Sequence, residues 1–182
     1  MPELAGGFCY LNNSAIAAQV LRGAHEKVAI LDVDVHHGNG TQDVFYARDD
    51  VLTVSIHADP VRFYPFFWGA ADETGNGAGS GYNCNLPLAR GTGDDDYLAT
   101  LERALERVAE FAPDALVIAL GLDASADDPF AGFAITTRGF GRIAAHIAEL
   151  RLPTVLVQEG GYPQPGLGDN LAAFLAPFAA MV

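Results

Sequence analysis

The sequence predicts an α/β fold of three layers, in which helices cover both faces of a mostly parallel β-sheet. Segments of strand length alternate along the chain with segments whose apolar residues recur at helical spacing. The predicted strands are apolar on both faces, as is typical of parallel strands covered on both sides. The chain has 182 residues and is 50% hydrophobic, so we expect a single domain, 1–182, with a sizeable core.

The first half of the chain is expected to hold one helix and two strands before a long loop. Asn13 or Ser14 can cap a helix that ends near Gly23, because either side chain can accept a hydrogen bond from an amide of the first turn. The apolar segments 27–35 and 51–57 favour strands. Residues 58–80 are rich in glycine and aromatic residues, so we expect a loop there, with a flexible connection at 75–81.

The second half is expected to continue the alternation of strands and helices. Residues 82–88 favour a short third strand. Leu98, Leu101 and Leu105 recur at helical spacing, and the three aspartates at 94–96 suit the positive end of a helix dipole, so 94–111 is predicted as a helix. We expect the remaining elements in the order strand 114–120, helix 136–150, strand 153–158 and helix 168–180.

Composition excludes several classes of protein. The net charge of −13 argues against a nucleic-acid partner, because phosphate binding requires lysine and arginine. Cys9 and Cys84 are too few for a disulfide framework, which favours a reducing compartment. No apolar run reaches membrane-spanning length and no signal-peptide pattern occurs at the start. We therefore expect a cytoplasmic protein without a membrane partner.

Polar residues follow four of the predicted strands at the point where each strand ends. In a parallel sheet these ends lie at one edge, and ligands bind in the crevice outside it. The polar groups are Asp32, Asp34 and His36 after the first strand, Ser55 and His57 at the second, Asp123 after the fourth, and Glu159 to Tyr162 after the fifth. The pattern indicates a functional site at this edge.

A metal site explains these residues better than separate structural roles do. Side chains two positions apart on an extended segment point the same way, so Asp32, Asp34 and His36 are expected to share one face. An aspartate and a histidine at this spacing, with Asp123 from a distant strand end, would make a three-ligand zinc site. A single aspartate after a strand more often caps the next helix, but capping does not explain the whole set.

Five segments resemble successive motifs of the histone deacetylase superfamily. They are GGFCYLNN, LDVDVHHGNGTQDVFY, VSIHADP, GLDASADDP and EGGY, and they occur in order through essentially the whole chain. Their spacing is most similar to that of the bacterial acetylpolyamine amidohydrolase branch and the class II-like deacetylases. The resemblance implies the three-layer fold of arginases and deacetylases, and a zinc-dependent amidohydrolase that removes acetyl groups from acetylated amines.

The resemblance also assigns the cations. It implies that Asp34, His36 and Asp123 hold Zn²⁺, although such ligands also accept Fe²⁺. Asp32 corresponds to a carboxylate that orients a catalytic histidine. A structural K⁺ is expected nearby, and its ligands would be the carbonyls of Asp32, Asp34, His36 and Ile56 and the hydroxyl of Ser55.

Further positions correspond to the substrate channel. Tyr162 matches the tyrosine that hydrogen-bonds the substrate carbonyl and then the tetrahedral oxyanion. Phe8 and Tyr64 match aromatic walls around an acyl-lysine-like chain, and Phe130 is placed at the rim. Gly7, Gly160 and Gly161 are expected to line the same channel. For the other aromatic residues of the long loop, packing is expected rather than substrate contact: Phe63, Phe66, Phe67 and Trp68.

The histidines other than His36 receive structural roles. His37 is expected to turn away from the metal, because adjacent side chains on a strand oppose each other. His57 is expected to be a hydrogen-bonded structural histidine. His25 and His146 lie on or near predicted helices and are expected at the surface.

The resemblance also indicates that part of the domain is missing. The superfamily's mechanism uses two adjacent histidines that precede the GGFCY motif, whereas this sequence begins at Met1 close to that motif. We therefore expect a partial domain, the C-terminal metal-bearing part, with poor activity on its own. Either a truncated deacetylase or a genuine short protein would explain this.

Two other functions remain open. An arginase-fold ureohydrolase with two manganese ions would need bridging carboxylates that no second aspartate-rich strand end supplies. A non-catalytic protein could bind metal or acylated ligands. For the enzyme, acetylpolyamine, acetyl-lysine and small acetylated metabolites all fit the expected channel, and a homodimer is possible by resemblance.

Overall fold

A computed structural model describes residues 6–180. Five strands form one sheet in the order β3-β2-β1-β4-β5, and all four pairings are parallel. The strands are β1 Val28–Asp32, β2 Val51–Ala58, β3 Asn83–Leu88, β4 Ala115–Leu120 and β5 Thr154–Gln158. The helices are α1 Asn13–Leu21, α2 Asn39–Phe45, α3 Asp94–Phe111, α4 Thr137–Ala148 and α5 Leu167–Ala179.

The predicted three-layer architecture is confirmed by how strand residues alternate between two cores. Ile30 and Val117 belong to a cluster that includes Ala15 and Ala18 of α1. Their sequence neighbours, such as Leu31, face the opposite side, where the larger core holds residues of α3, α4 and α5. Full burial of one such aliphatic side chain contributes about 1.5–3 kcal/mol. The sheet is therefore a central layer with helices on both faces.

Most element predictions are confirmed, but Asn12 caps the first helix instead of Asn13 or Ser14, and two further differences lie near the site. The helix at 94–111 has the expected bounds. The first strand ends at Asp32 instead of 35, and the unpredicted helix α2 follows at Asn39. The strand ends early because Asp32 Oδ1 accepts the Asp34 amide at 3.0 Å and Asp34 Oδ1 accepts the His36 amide at 2.8 Å. Such side-chain turns curl the backbone out of the sheet.

Within residues 6–180, no helix combines the length and hydropathy that crossing a membrane requires. The longest helix, α3, has 18 residues and begins with Asp94, Asp95 and Asp96. Charged residues recur along it, and its apolar face is buried in the core.

Candidate metal centre and active site

Three side chains meet at the carboxyl edge of the sheet. Asp34, His36 and Asp123 each offer a ligand atom, and these atoms all lie within 4.8 Å of one another. His36 Nδ1 is 3.1 Å from Asp34 Oδ1 and 3.0 Å from Asp123 Oδ2. The fold brings them together because β1 pairs with β4, so that the loops after the two strands are neighbours. The predicted grouping of these three residues agrees with the geometry.

The charges of this group fit a divalent cation. Asp34 and Asp123 are buried, and a buried carboxylate is costly without a positive partner. Burial and the neighbouring Asp34 raise the pKa of Asp123 to about 7. Burial acts to lower the pKa of His36, but its hydrogen bonds to Asp123 and Asp34 prevail and raise that pKa to about 10. Two oxygen donors and one nitrogen donor suit zinc.

Backbone groups fix the two carboxylates in place. The Val35 amide donates to Asp123 Oδ1 at 3.1 Å, and the Gly160 amide donates to Asp34 Oδ2 at 2.9 Å. A Cβ atom at Gly160 would overlap both carboxylates, and one at Gly121 would do the same. The two glycines therefore leave the space that the ligand atoms occupy. Gly161 adopts a φ of +135°, which turns the chain toward Tyr162.

Asp32 lies beside this group and is not one of its three members. Because the chain bends after Asp32, the strand alternation that placed it on the same face as Asp34 does not continue. Its carboxylate approaches Gly38 at the start of α2. Burial and the charge of Asp34 raise its pKa well above the usual value. Asp32 pairs in register with Ser55, so two of the expected potassium ligands are neighbours in the sheet.

Aromatic rings surround the candidate ligands. Phe63 stacks on His36 with ring centroids 4.9 Å apart, and Tyr64 approaches His36 edge-on at 6.1 Å. Phe130 approaches His36 at 5.9 Å and Tyr162 at 4.6 Å, both edge-on. The expected channel residues therefore lie next to the ligands. Phe63 does pack, as expected, but its packing partner is a candidate ligand.

The predicted channel mouth is open and aromatic. Phe8 approaches Tyr162 edge-on at 6.2 Å. A Cβ at Gly7 would lie 3.4 Å from the ring of Tyr64, so Gly7 contacts the opposite wall. Phe8 is exposed, and Tyr64 and Phe130 are partly exposed. Solvent reaches the candidate ligands only in part, because the side chains of His36 and Asp34 are 19% and 12% exposed and that of Asp123 is fully buried.

Tyr162 is held as a neutral hydrogen-bond donor. Burial, together with the negative charges of Asp123 and Asp34, raises the pKa of Tyr162 to about 12. Its backbone amide donates to Asp128 Oδ2 at 3.2 Å, which fixes the turn after Gly161. The phenol therefore keeps its proton at neutral pH beside the candidate ligands.

Three aromatic residues of the long loop are more exposed than expected, although Phe66 contacts Tyr64 edge-on at 6.2 Å. Phe66, Phe67 and Trp68 are exposed. Phe66 and Phe67 have φ angles of 53° and 65°, a left-handed conformation that is uncommon for bulky residues.

A buried polar network beneath the site escaped the sequence prediction. Gln42 Oε1 accepts hydrogen bonds from His37 Nε2 at 3.0 Å, from Asn83 at 3.0 Å and from Asn85 at 2.8 Å. Its amide donates to Glu73 at 2.6 Å. One side chain of α2 thus joins the loop after β1 to β3 and to the loop before β3. The available signal was the pair of asparagines two positions apart on β3, which share one face.

The remaining histidines have the predicted structural roles. Burial lowers the pKa of His37 to about 4 and that of His57 to about 3. His57 accepts from the Ser55 hydroxyl and donates to the Gly69 carbonyl, each at 2.9 Å. His37 turns away from the candidate ligands toward Gln42. His25 and His146 are partly exposed.

Comparison with known proteins gives one consistent family. The histone deacetylase domain matches residues 1–177. Acetylpolyamine amidohydrolase of Burkholderia pseudomallei is 54% identical over 179 residues, covering 98% of this chain and 52% of that protein. Acetylpolyamine amidohydrolase 1 of Pseudomonas aeruginosa is 53% identical over 170 residues, covering 92% of this chain and 49% of that protein.

The fold is also that of a solved relative. A crystal structure of acetylpolyamine aminohydrolase from Burkholderia pseudomallei superimposes with a TM-score of 0.94 at 54% identity, covering 97% of this chain and 52% of that one. This chain thus spans about half the length of the curated relatives it matches. Matched along almost its whole length in sequence and in fold, the chain belongs to the histone deacetylase family.

Proposed function

We propose that this chain forms the metal-binding part of a zinc-dependent amidohydrolase that removes acetyl groups from acetylated amines. The observation that carries the proposal is the convergence of Asp34, His36 and Asp123 beside the protonated phenol of Tyr162. The names of the relatives point to acetylpolyamines as the substrate class. The net charge of −13 favours such cationic amines over neutral ones.

Asp34, His36 and Asp123 would hold the zinc ion. When bound, zinc lowers the pKa of a coordinated water and polarises a substrate carbonyl. The two carboxylates are pre-positioned by the amides of Val35 and Gly160, so little reorganisation is needed on binding. The same donors would accept Fe²⁺.

The aromatic residues bind the substrate and orient its acetyl group. Phe8, Tyr64 and Phe130 would enclose the alkyl chain of the acetylated amine and exclude water from it. The Tyr162 hydroxyl would donate a hydrogen bond to the acetyl oxygen as negative charge develops there. A neutral donor in that place stabilises the oxyanion without adding a charge, and such donors contribute about 100–1000-fold to kcat.

The leaving amine needs a proton donor that the described residues do not supply. Within residues 6–180, His37 and His57 hydrogen-bond to Gln42 and Gly69 respectively, and His36 would be a metal ligand. We therefore assign proton transfer to the part of a deacetylase domain that the relatives contain and this chain does not span. The chain alone should hydrolyse acetylated amines poorly.

The other cofactor and partner assignments belong to the same proposal. A potassium ion would be coordinated by Asp32, Asp34, His36, Ser55 and Ile56. It would offset part of the buried negative charge. Acetyl-lysine is the second substrate candidate, a homodimer is the proposed assembly, and the cytoplasm is the proposed location.

The dimanganese and non-catalytic alternatives receive less support. One group of three candidate metal ligands occurs among residues 6–180, and a second manganese ion would need further bridging carboxylates. A protein that only binds acylated ligands would not require Tyr162 to lie beside the metal ligands.

A chimera tests the proposed activity. This chain would replace the matched segment of the Burkholderia pseudomallei amidohydrolase, and acetate release from acetylputrescine and from an acetyl-lysine peptide would be measured with zinc. We expect turnover by the chimera and little by the chain alone. A folded, zinc-loaded chimera without turnover on either substrate contradicts the proposal.

A further inference from the structure

We infer that the buried carboxylate of Asp128 is a positioning residue that holds the oxyanion donor and the rim of the substrate channel in one fixed relationship. Its two oxygens accept the backbone amides of Phe130 and Tyr162, so Asp128 would act on the reaction through those two residues. The kinetic consequences rest on the proposed function, whereas the structural consequences do not.

Asp128 lies in the loop between β4 and α4 and is only 4% exposed. An aspartate is almost never this buried unless it is paired. Within residues 6–180, no lysine, arginine or histidine forms an ion pair with it. Backbone amides therefore offset the cost of its burial. A buried polar group whose partners are fixed in this way specifies one local arrangement of the chain.

The two oxygens of Asp128 join two separate segments. Oδ1 accepts the Phe130 amide at 2.9 Å within the same turn. Oδ2 accepts the Tyr162 amide at 3.2 Å, from a residue 34 positions away. Because each amide uses a different oxygen, a carboxylate satisfies both, whereas a carboxamide has only one acceptor oxygen. Asp128 thus ties the loop after β4 to the loop after β5.

The side chains of the two joined residues are also in contact. The rings of Phe130 and Tyr162 pack edge-on, with centroids 4.6 Å apart and planes at 79°, an arrangement that aromatic pairs prefer. The ring contact and the two amide bonds to Asp128 form a closed set of three contacts. A shift of the channel rim at Phe130 should therefore displace the phenol of Tyr162.

The turn that begins at Asp128 has an uncommon backbone conformation. The Ala131 amide donates to the Asp128 carbonyl at 3.0 Å. Ala131 has a φ of 49°, in the left-handed region that few residues other than glycine adopt. Such a conformation persists only where surrounding contacts maintain it. The bond from the Phe130 amide to the Asp128 side chain is one of these contacts, so its loss should let Phe130 move.

Arg90 contacts the same turn without contacting Tyr162 in the part of the chain that the structure describes. Its guanidinium donates to the Ala131 carbonyl at 3.1 Å and lies over the ring of Phe63, 5.3 Å from the centroid. Loss of this side chain should loosen the rim and leave the bond between Asp128 and the Tyr162 amide intact. Arg90 is therefore a matched comparison for Asp128.

Amide exchange on the chain alone tests the structural role. In Asp128→Ala, the amides of Phe130 and Tyr162 should both exchange at least about tenfold faster, because each loses its acceptor. In Asp128→Asn, a variant of nearly the same shape, only one of the two should do so. The control Asp127→Ala changes an exposed neighbour and should affect neither amide. Unchanged exchange of both amides in Asp128→Ala overturns the inference.

Kinetics of the chimera test whether Asp128 acts through Tyr162. Asp128→Ala should lower kcat by about 100-fold, the effect of a misplacement of about 1 Å, and should raise KM because Phe130 shifts. In a chimera that already carries Tyr162→Phe, Asp128→Ala should lower kcat little further and still raise KM. Asp128→Asn should cause smaller losses. An equal loss of kcat in both backgrounds would show general structural damage and contradict the positioning role.

Arg90→Ala separates the rim from the oxyanion donor. We expect it to raise KM in the chimera and to leave kcat nearly unchanged. If it lowers kcat as much as Asp128→Ala does, any loosening of the turn acts on Tyr162, and the specific role of Asp128 is wrong. An inactive chimera contradicts the proposed function, and the exchange rates in the chain alone then decide whether Asp128 holds the two segments.

Discussion

The imidazole Nδ1 of His36 lies 3.0 Å from a carboxylate oxygen of Asp123, although 87 positions separate the two residues along the chain. The contact exists because β1 and β4 are adjacent parallel strands whose carboxyl ends meet. The grouping of the candidate metal ligands is thus a consequence of strand order. Any change that separates the loop after β1 from the loop after β4 should remove metal binding before it unfolds the core.

Removing the distant ligand should abolish tight metal binding. Loss of a residue that only hydrogen-bonds to a metal ligand lowers metal affinity by about 10–100-fold. Because Asp123 is itself a candidate ligand, Asp123→Ala should weaken zinc binding by at least about 100-fold. Competition with a chromogenic chelator measures the affinity. Asp127→Ala is the control, because Asp127 is exposed four positions away and should leave zinc binding unchanged. Equal affinities of the two variants would contradict the ligand assignment.

Zinc affinity should rise with pH. In the metal-free chain the pKa of His36 is raised to about 10, so its imidazole is protonated at neutral pH, and zinc binding must displace that proton. Apparent affinity should therefore increase by about tenfold per pH unit between about pH 7 and 10. Below pH 7, protonation of Asp123 adds further competition. Calorimetry in two buffers of different ionisation enthalpy should detect about one released proton; no release would show that His36 binds zinc without competition.

The network around Gln42 should stabilise the metal-binding loop. Gln42→Leu removes the acceptor of His37 Nε2 and leaves the Asn83 and Asn85 amides only their backbone acceptors, the carbonyls of Glu73 and Ala70. An unpaired buried polar group costs about 1–3 kcal/mol. We expect urea unfolding of the metal-free chain to show a loss of about 2 kcal/mol. In the control Gln19→Leu, an exposed side chain loses one contact with Arg48, and the change should stay below about 0.5 kcal/mol.

Tyr162 should act on turnover and not on metal binding. In the chimera, Tyr162→Phe should lower kcat by about 100–1000-fold, because the hydrogen bond to the developing oxyanion is lost. KM and zinc affinity should change little. Tyr82→Phe is the control, since Tyr82 packs edge-on against Phe111. A Tyr162→Phe variant with unaltered kcat would place the oxyanion donor elsewhere.

The amino-acid sequence predicts those features whose residue pattern is local and repeated. The bounds of α3 follow from leucines at helical spacing and from the aspartates that open the helix. The candidate ligands were found because polar residues at the ends of apolar strands are unusual, and parallel strands place such ends at one edge.

The features that escaped prediction depend on contacts across the fold. Gln42 bonds to Glu73, 31 positions away, and to Asn85, 43 positions away, and no short motif encodes such a network. Helix α2 begins after Gly38, which provides no side-chain cap, so its start carries no sequence signal. The bend after Asp32 arises from side-chain hydrogen bonds that strand periodicity ignores.

Anomalous X-ray diffraction at the zinc edge, on crystals of the zinc-loaded chain, addresses the metal site most directly. We expect one zinc ion per chain, about 2.0–2.2 Å from His36 Nδ1 and from one carboxylate oxygen each of Asp34 and Asp123. An ion bound away from these three residues, or two ions sharing them, would contradict the mononuclear zinc site.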